Sequence, residues 1–93
     1  MVIVIVEKVS PSLRGLLSRW LIEVKTGVFV GNLSALVRDL LWEKYLQNIA
    51  GGSALQIWTT NNEQGFDMRM AGSSDRIIAD YDGLKLIKRK LSD

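Results

Sequence analysis

A short, strongly apolar run at the start of the chain constrains the fold most. Val2 to Val6 are all apolar and mostly β-branched, which is typical of a strand covered on both faces. The run is too short to cross a membrane as a helix, which takes roughly 20 apolar residues. Glu7 follows at once without a small-residue cleavage site, which argues against a signal peptide. We therefore expect a buried strand that leads straight to a carboxylate, Glu7, and a base, Lys8.

A helix is expected immediately after this strand. Ser10 is a good N-cap, and Pro11 at the first helical position loses no hydrogen bond. The apolar residues that follow recur at helical spacing: Leu13, Leu16, Leu17, Trp20, Leu21 and Val24. The pattern predicts an amphipathic helix that ends at Gly27. Val28 to Val30, between two glycines, then predicts a brief strand at a sheet edge.

A second helix is predicted from a cap at Asn32 or Ser34 to about Ile49, before Gly51-Gly52. Its core stripe is expected to comprise Leu33, Leu36, Val37, Leu40 and Leu41. Four further apolar residues near its end fall outside that stripe: Trp42, Tyr45, Leu46 and Ile49. This second apolar side indicates either a helix end under a loop or a contact with another subunit or partner.

The rest of the chain predicts strands. Residues 54–60 alternate in polarity, and a polar turn separates them from a second alternating run that starts at Phe66, which predicts a hairpin. Met68 and Met70 are expected to fill the core. A loop at 72–75, a short extended piece at 77–79 and a turn at 81–83 precede a last strand that starts at Leu84.

The predicted order, β-α-β-α-β-β and a final strand, indicates an α+β fold in one domain over residues 1–93. We expect a ferredoxin-like plait, with one sheet covered by two helices on one face. The composition favours an oligomer, because a chain of 93 residues that is 47% hydrophobic has more apolar material than a small monomer easily hides. A two-fold dimer is the commonest solution, and an apolar-rich monomer is the alternative.

The residue inventory excludes several kinds of site. The chain has no Cys and no His, which excludes disulfides, thiol nucleophiles, Ser-His catalysis and the usual zinc sites. Acid–base chemistry would use carboxylates, and a metal would be an oxygen-preferring ion such as magnesium or manganese. A reducing cytoplasmic setting fits this composition. The net charge of +2 means that any nucleic-acid binding depends on local patches.

Three carboxylates lie where strands end or turn: Glu7, Glu63 and Asp82. In a two-fold dimer, one acid per subunit near the axis would pair with its copy, and two carboxylates can hold a hydrated magnesium ion against a phosphodiester. The alternative for each is an ordinary solvated acid at a strand end or turn.

Three basic residues lie on loops or at a helix start next to the first strand: Lys8, Arg14 and Arg76. A two-fold axis would duplicate them into a stripe that binds phosphates without reading bases. The alternative is a set of solvated surface charges. Lys85, Lys88, Arg89 and Lys90 form a basic tail that could touch DNA, dock on a partner or keep the end soluble.

The sequence resembles CRISPR-associated protein 2 of the type I-E subtype over nearly its whole length. The residues that carry the resemblance are Leu13-Arg14-Gly15, Trp20-Leu21, Glu23-Val24, Gly27 to Gly31, Trp42-Glu43, Trp58 with Thr60-Asn61, Gly65-Phe66 and Asp82-Gly83-Leu84. The resemblance implies a ferredoxin-like fold, a prokaryotic cytoplasmic location and a role in antiviral defence. Some relatives continue into an exonuclease-like domain, and such a fusion would lie beyond residue 93.

The resemblance also implies partners. It implies a two-fold homodimer in which the last strand adds to the partner subunit's sheet, and two flanking dimers of the CRISPR-associated protein 1 integrase. The residues expected to bind partners are Leu84, Lys85, Leu86, Ile87 and Lys88. The pair of proteins would capture a short foreign double-stranded DNA, the protospacer, and insert it into the CRISPR array.

The resemblance assigns the DNA backbone contacts to Arg14 and Arg76, with Lys8 beside them. Ser12 and Leu36 stand where a relative can carry a basic residue. Many members of the wider family have an aspartate at the end of the first strand, to which a metal-dependent nuclease activity has been ascribed, and Glu7 stands there in this chain. Two functions therefore stay open: a non-catalytic DNA-binding scaffold, and a magnesium- or manganese-dependent endonuclease acting on RNA or double-stranded DNA with Glu7 as catalytic residue and metal ligand. A pure protein-interaction module is a third.

Overall fold

The computed structural model describes residues 1–48, 51–72 and 76–90. Its elements are β1 (Val2–Glu7), α1 (Pro11–Trp20), β2 (Ile22–Lys25), β3 (Val28–Gly31), α2 (Ala35–Gln47), β4 (Ser53–Thr59), β5 (Phe66–Gly72), β6 (Arg76–Tyr81) and β7 (Leu84–Arg89). Five strands form an antiparallel sheet in the order β2-β3-β1-β4-β5, and β6 pairs with β7 in a separate hairpin. This α+β architecture is compatible with a ferredoxin-like fold, since the elements from β1 to β4 follow the order β-α-β-β-α-β.

Strand β1 lies at the centre of the sheet, as its apolar run predicts. Val2, Val4 and Val6 are buried on the face that both helices cover, whereas Ile3 and Ile5 on the other face are half-buried. The core that β1 shares with the helices and neighbouring strands comprises Val2, Val4, Val6, Leu13, Leu17, Leu21, Phe29, Trp42, Tyr45 and Ala54. The helices therefore cover one face of the sheet, and we call the opposite side the helix-free face.

The predicted length of the first helix is wrong. Helix α1 starts as expected, with the Ser10 hydroxyl accepting the Leu13 N–H at 3.2 Å, but it ends at Trp20 because Leu21 is extended. The next residues form β2, which pairs with β3. Gly27 has the expected positive φ of 79°, but it lies in the turn between these strands rather than at a helix end. Strand β3 is consequently internal to the sheet, and β2 takes the edge position predicted for residues 28–30.

The predicted core stripe of the second helix is only partly correct, since Leu41 is buried and Leu33 packs against the core, but two other members are exposed. Ser34 caps α2 by accepting the Val37 N–H at 3.2 Å, and α2 ends at Gln47, while Ile49 lies outside the described residues. Leu36 and Leu40 are 70% and 55% exposed. The residues of α2 that are buried are Leu41, Trp42 and Tyr45. The helix is rotated because Trp42 and Tyr45 stack on each other, with ring centroids 5.7 Å apart, and fill the core.

The later strands follow the prediction more closely. Strands β4 and β5 form the expected hairpin, and Met68 is buried. The short extended piece predicted at 77–79 belongs to a longer strand, β6, which pairs with β7 through a turn at Asp82 and Gly83. Residues 73–75 of the predicted loop lie outside the described residues. Neither helix in the described part of the chain is long and apolar enough to cross a membrane.

Candidate nucleic-acid interface

The candidate site lies at the carboxyl end of β1. Glu7 is the last residue of that strand, faces solvent and pairs in register with Ser53 of β4. Lys8 follows with a positive φ of 55° and is also exposed. A Cβ at Gly52 would lie 2.5 Å from the Glu7 carbonyl oxygen and 2.6 Å from that of Lys8. Glycine at 52 therefore permits the close approach that shapes this end of the sheet, besides following the second helix as predicted.

Arg14 is held at this same end by an ion pair that the sequence did not reveal. Its Nη2 donates to Glu23 Oε2 at 2.6 Å, and the Gly27 N–H donates to the same oxygen at 2.9 Å. The Gly27 carbonyl in turn accepts the Val6 N–H at 2.8 Å, next to Glu7. The Gly27 hydrogen bond, reinforced by Arg14, holds the pKa of Glu23 below its usual range.

The pairing of Glu23 with Arg14 was not predicted, because Glu23 was assigned to the first helix. In β2 it lies opposite Phe29, whose side chain is fully buried on the helix side of the sheet. Glu23 therefore lies on the same side as α1, within reach of Arg14. A phosphate that binds Arg14 must compete with this carboxylate for the guanidinium.

Arg76 comes from a distant part of the chain to the same end of the molecule. It is the exposed first residue of β6 and lines, together with Glu7, a cavity of about 120 Å³ on the helix-free face. The apolar wall of this cavity comprises Ile5, Ala54, Leu55, Met70 and Ile87. The structure thus brings Glu7, Lys8, Arg14 and Arg76 to one end of the sheet.

The other two candidate acids lie elsewhere. Glu63 is in the turn that follows β4, at the opposite end of the sheet from Ser53 and Glu7. Asp82 is in the β6–β7 turn, with a positive φ of 53°. Among the described residues, no three or more Asp or Glu side chains are grouped so as to hold a metal ion. A metal site at Glu7 would therefore need further oxygen ligands, such as the Glu7 of a second copy.

A cluster that sequence reasoning missed fastens α2 to β4 and β5. Its members are Arg38, Asp39, Trp42, Gln56, Trp58 and Arg69. Both arginine guanidinium groups lie over the ring of Trp58. The Cζ atom is 4.4 Å from the ring centroid for Arg38 and 5.1 Å for Arg69. Asp39 accepts from Arg38 Nε at 3.1 Å and from Arg69 Nη2 at 2.8 Å, and these two bonds hold its pKa below the usual range.

Gln56 lies at the centre of this cluster and is 1% exposed. Its side-chain oxygen accepts from Arg69 Nε at 2.7 Å, and its Nε2 donates to the Arg38 carbonyl at 3.2 Å. A single buried amide thus joins α2 to β5 through β4. The alternation of residues 54–60 was the available signal, since it puts Gln56 and Trp58 on the same face of a strand, but it did not reveal their partners.

The predicted partner-binding strand is β7. Leu84, Leu86 and Ile87 are 43%, 47% and 42% exposed. Lys85 contacts Gln64 and Asp67 of the same chain. The strand therefore pairs with β6 of its own subunit and still presents apolar side chains to solvent.

The family model described as CRISPR-associated protein (Cas_Cas2CT1978) matches residues 1–86. The chain belongs to this Cas2-type family of CRISPR-associated proteins. The match covers both helices, the whole five-stranded sheet and the first half of β7. It also covers every residue at the carboxyl end of β1 described above, so the family assignment and the candidate interface rest on the same part of the chain.

Proposed function

We propose that this Cas2-type protein belongs to the type I-E branch and acts as a dimeric, non-catalytic scaffold of CRISPR adaptation. Two copies bridge dimers of the CRISPR-associated protein 1 integrase and hold the protospacer duplex by its phosphates. The observation that carries the proposal is that Lys8, Arg14 and Arg76 lie at the same end of the sheet, with Arg14 on the helix side and Arg76 beside a cavity on the helix-free face.

Phosphate contacts suit this arrangement. Side chains of Lys and Arg that bind backbone phosphates position a duplex without reading its sequence, which is what capture of foreign DNA of any sequence requires. A two-fold axis doubles the three cations to six, and each neutralised phosphate contributes to affinity through release of counterions. Contacts to the phosphate charges would hold the duplex in a fixed position, while the integrase carries out the chemistry.

The helix-free face supports the dimer. Ile22 of β2 is 72% exposed, and its neighbour Glu23 lies on the helix side, so the Ile22 side chain lies on the helix-free face. Ile3 and Ile57 add to it around a second apolar cavity of about 210 Å³. A second copy stacked on this face would cover apolar surface that a small monomer leaves in water, and would let β7 reach the partner subunit.

A metal-dependent endonuclease is the second candidate function. The observation that favours it is that Glu7 is exposed at a strand end and shares a cavity with Arg76, a combination that can bind a cation and a phosphate side by side. Two copies of Glu7 near a two-fold axis would supply the carboxylates for Mg²⁺ or Mn²⁺.

The deciding experiment is a spacer-acquisition assay with the cognate integrase. We compare the wild type with Glu7→Gln, with the double charge reversal Arg14→Glu/Arg76→Glu, and with Arg19→Glu as a control on an exposed arginine in the last turn of α1. Acquisition is expected to be lost only in the double reversal. Retained acquisition in that variant would refute the scaffold proposal.

Cleavage of RNA and duplex DNA is measured in parallel with Mg²⁺ and Mn²⁺. Loss of acquisition in Glu7→Gln with normal duplex capture, together with metal-dependent cleavage that the same change abolishes, would establish the nuclease. Cleavage that survives Glu7→Gln would exclude Glu7 as the metal ligand.

A further inference from the structure

The outer edge of β7 has an unusual pattern of hydrogen bonding. In the β6–β7 hairpin, Tyr81 pairs with Leu84 across the two-residue turn, and Asp80 pairs with Lys85. Successive residues of an antiparallel strand direct their main-chain groups alternately toward and away from the paired strand. Lys85, Ile87 and Arg89 therefore present their N–H and C=O groups away from β6.

The main chain of Lys85 is satisfied by one side chain. The Gln64 amide donates from Nε2 to the Lys85 carbonyl at 2.7 Å, and Gln64 Oε1 accepts the Lys85 N–H at 2.8 Å. Gln64 thus takes the place of a peptide group from a neighbouring strand. The Lys85 ammonium also forms an ion pair with Asp67, which holds the pKa of Asp67 below its usual range.

Within the described part of the chain, the edge is open beyond Lys85. No hydrogen bond joins the outward main-chain groups of Ile87 and Arg89 to any other residue in the ranges 1–48, 51–72 and 76–90. Unpaired groups along a strand edge are a template for another strand. The edge also lies on the helix-free face, because Ile87 lines the same cavity as Ile5 and Met70.

We infer that Gln64 is a positioning residue that fixes where a second copy of this chain pairs with β7. The Gln64 amide closes the edge at Lys85, so an added strand engages only Ile87 and Arg89. The second copy is the occupant because the open edge is continuous with the helix-free face on which the dimer is proposed to form. The inference rests on the proposed dimer and adds to it the register of strand pairing and the residue that sets it.

Amide hydrogen exchange followed by NMR tests this register. The wild type, Gln64→Ala and Gln47→Ala are each measured at low and high protein concentration. Gln47 lies at the exposed end of α2 and is the matched control. We expect the wild-type Lys85 amide to be protected at both concentrations, and those of Ile87 and Arg89 only in the dimer. In Gln64→Ala the Lys85 amide should exchange roughly tenfold faster or more in the monomer, and regain protection in the dimer as pairing extends. Gln47→Ala should behave as the wild type.

The outcomes separate the two proposals. A dimer in which Ile87 and Arg89 exchange freely would overturn the register while leaving the dimer intact. Unchanged Lys85 exchange in Gln64→Ala would overturn the role of Gln64. Absence of any dimer would refute the homodimer and the strand pairing together. Retained protection of the Val4 amide in β1 verifies that Gln64→Ala is folded.

Discussion

Tyr45 buries a polar hydroxyl group in the apolar core. Its side chain is 2% exposed and stacks on Trp42, yet its hydroxyl has no hydrogen-bond partner among the described residues. Burial raises the pKa of this phenol, because the charged form is disfavoured away from water.

We expect Tyr45→Phe to raise the free energy of unfolding by about 1 kcal/mol, since a buried polar group without a partner costs roughly 1–3 kcal/mol. Urea denaturation measures the change, with Tyr81→Phe, which is 51% exposed, as a control that should have little effect. A loss of stability in Tyr45→Phe would mean that the hydroxyl has a partner.

Glu23 is paired with Arg14, so its charge is expected to affect how readily Arg14 binds a phosphate. Glu23→Gln removes the charge that faces Arg14, while its amide oxygen can still accept the Gly27 N–H. Duplex affinity is expected to rise, and the slope of log K against log salt to steepen by about 0.9 if Arg14 gains one phosphate. Binding titrations at several salt concentrations measure both quantities.

The control for this change is Glu43→Gln, which alters net charge equally at an exposed position of α2. An equal rise in both variants would show that overall charge, rather than release of Arg14, is responsible. An unchanged slope in Glu23→Gln would indicate that Arg14 does not bind phosphate.

At the scale of elements, α2 carries two apolar sides, and only one of them enters the core. Leu41 is 5% exposed, whereas the adjacent Leu40 is 55% exposed. Leu41→Ala is expected to cost about 2–5 kcal/mol, as large-to-small changes in a core do, and Leu40→Ala less than about 1 kcal/mol. Denaturant midpoints of the two variants test the rotation of the helix. Equal losses would contradict it.

The first helix shows how two periodicities can share the same residues. Trp20, Leu21 and Val24 continue a helical pattern, but Ile22 and Val24 also fit the alternation of a strand. Pairing of β2 with β3 forms main-chain hydrogen bonds between the two segments, and Phe29 of β3 is buried in the core. The hairpin, together with the burial of Phe29 against the rest of the core, decides between two local patterns of similar strength.

At the scale of the whole molecule, the proposed dimer forms through the helix-free face. Ile22→Glu places a charge on its open part without disturbing the core, because Ile22 is 72% exposed. We expect this variant to remain folded and monomeric at concentrations where the wild type is a dimer, since burying an unpaired charge opposes association.

Sedimentation velocity measures the two states. Leu36→Glu, which introduces the same charge at a residue 70% exposed on the helix side, is the matched control and should remain dimeric. Unchanged association in Ile22→Glu would move the subunit interface away from the helix-free face.

The sequence by itself determined the features that depend on neighbouring residues. The β-branched run of β1, the Ser10-Pro11 helix start and the alternating hairpin of β4 and β5 were each predictable from local signals, and together they indicated the α+β class. The residues at the carboxyl end of β1 could also be predicted, since Glu7, Lys8 and Arg14 follow one another closely in the chain.

Only the tertiary structure decided which of several compatible partners each residue has. The end of α1, the rotation of α2, the pairing of Arg14 with Glu23 and the capping of Lys85 by Gln64 all depend on contacts between different elements of the fold. Periodicity defines the faces of an element but not what covers them, and charge pairs form wherever packing brings two side chains together. The physical reason is that burial and hydrogen bonding are properties of the assembled sheet, and no local window of sequence contains them.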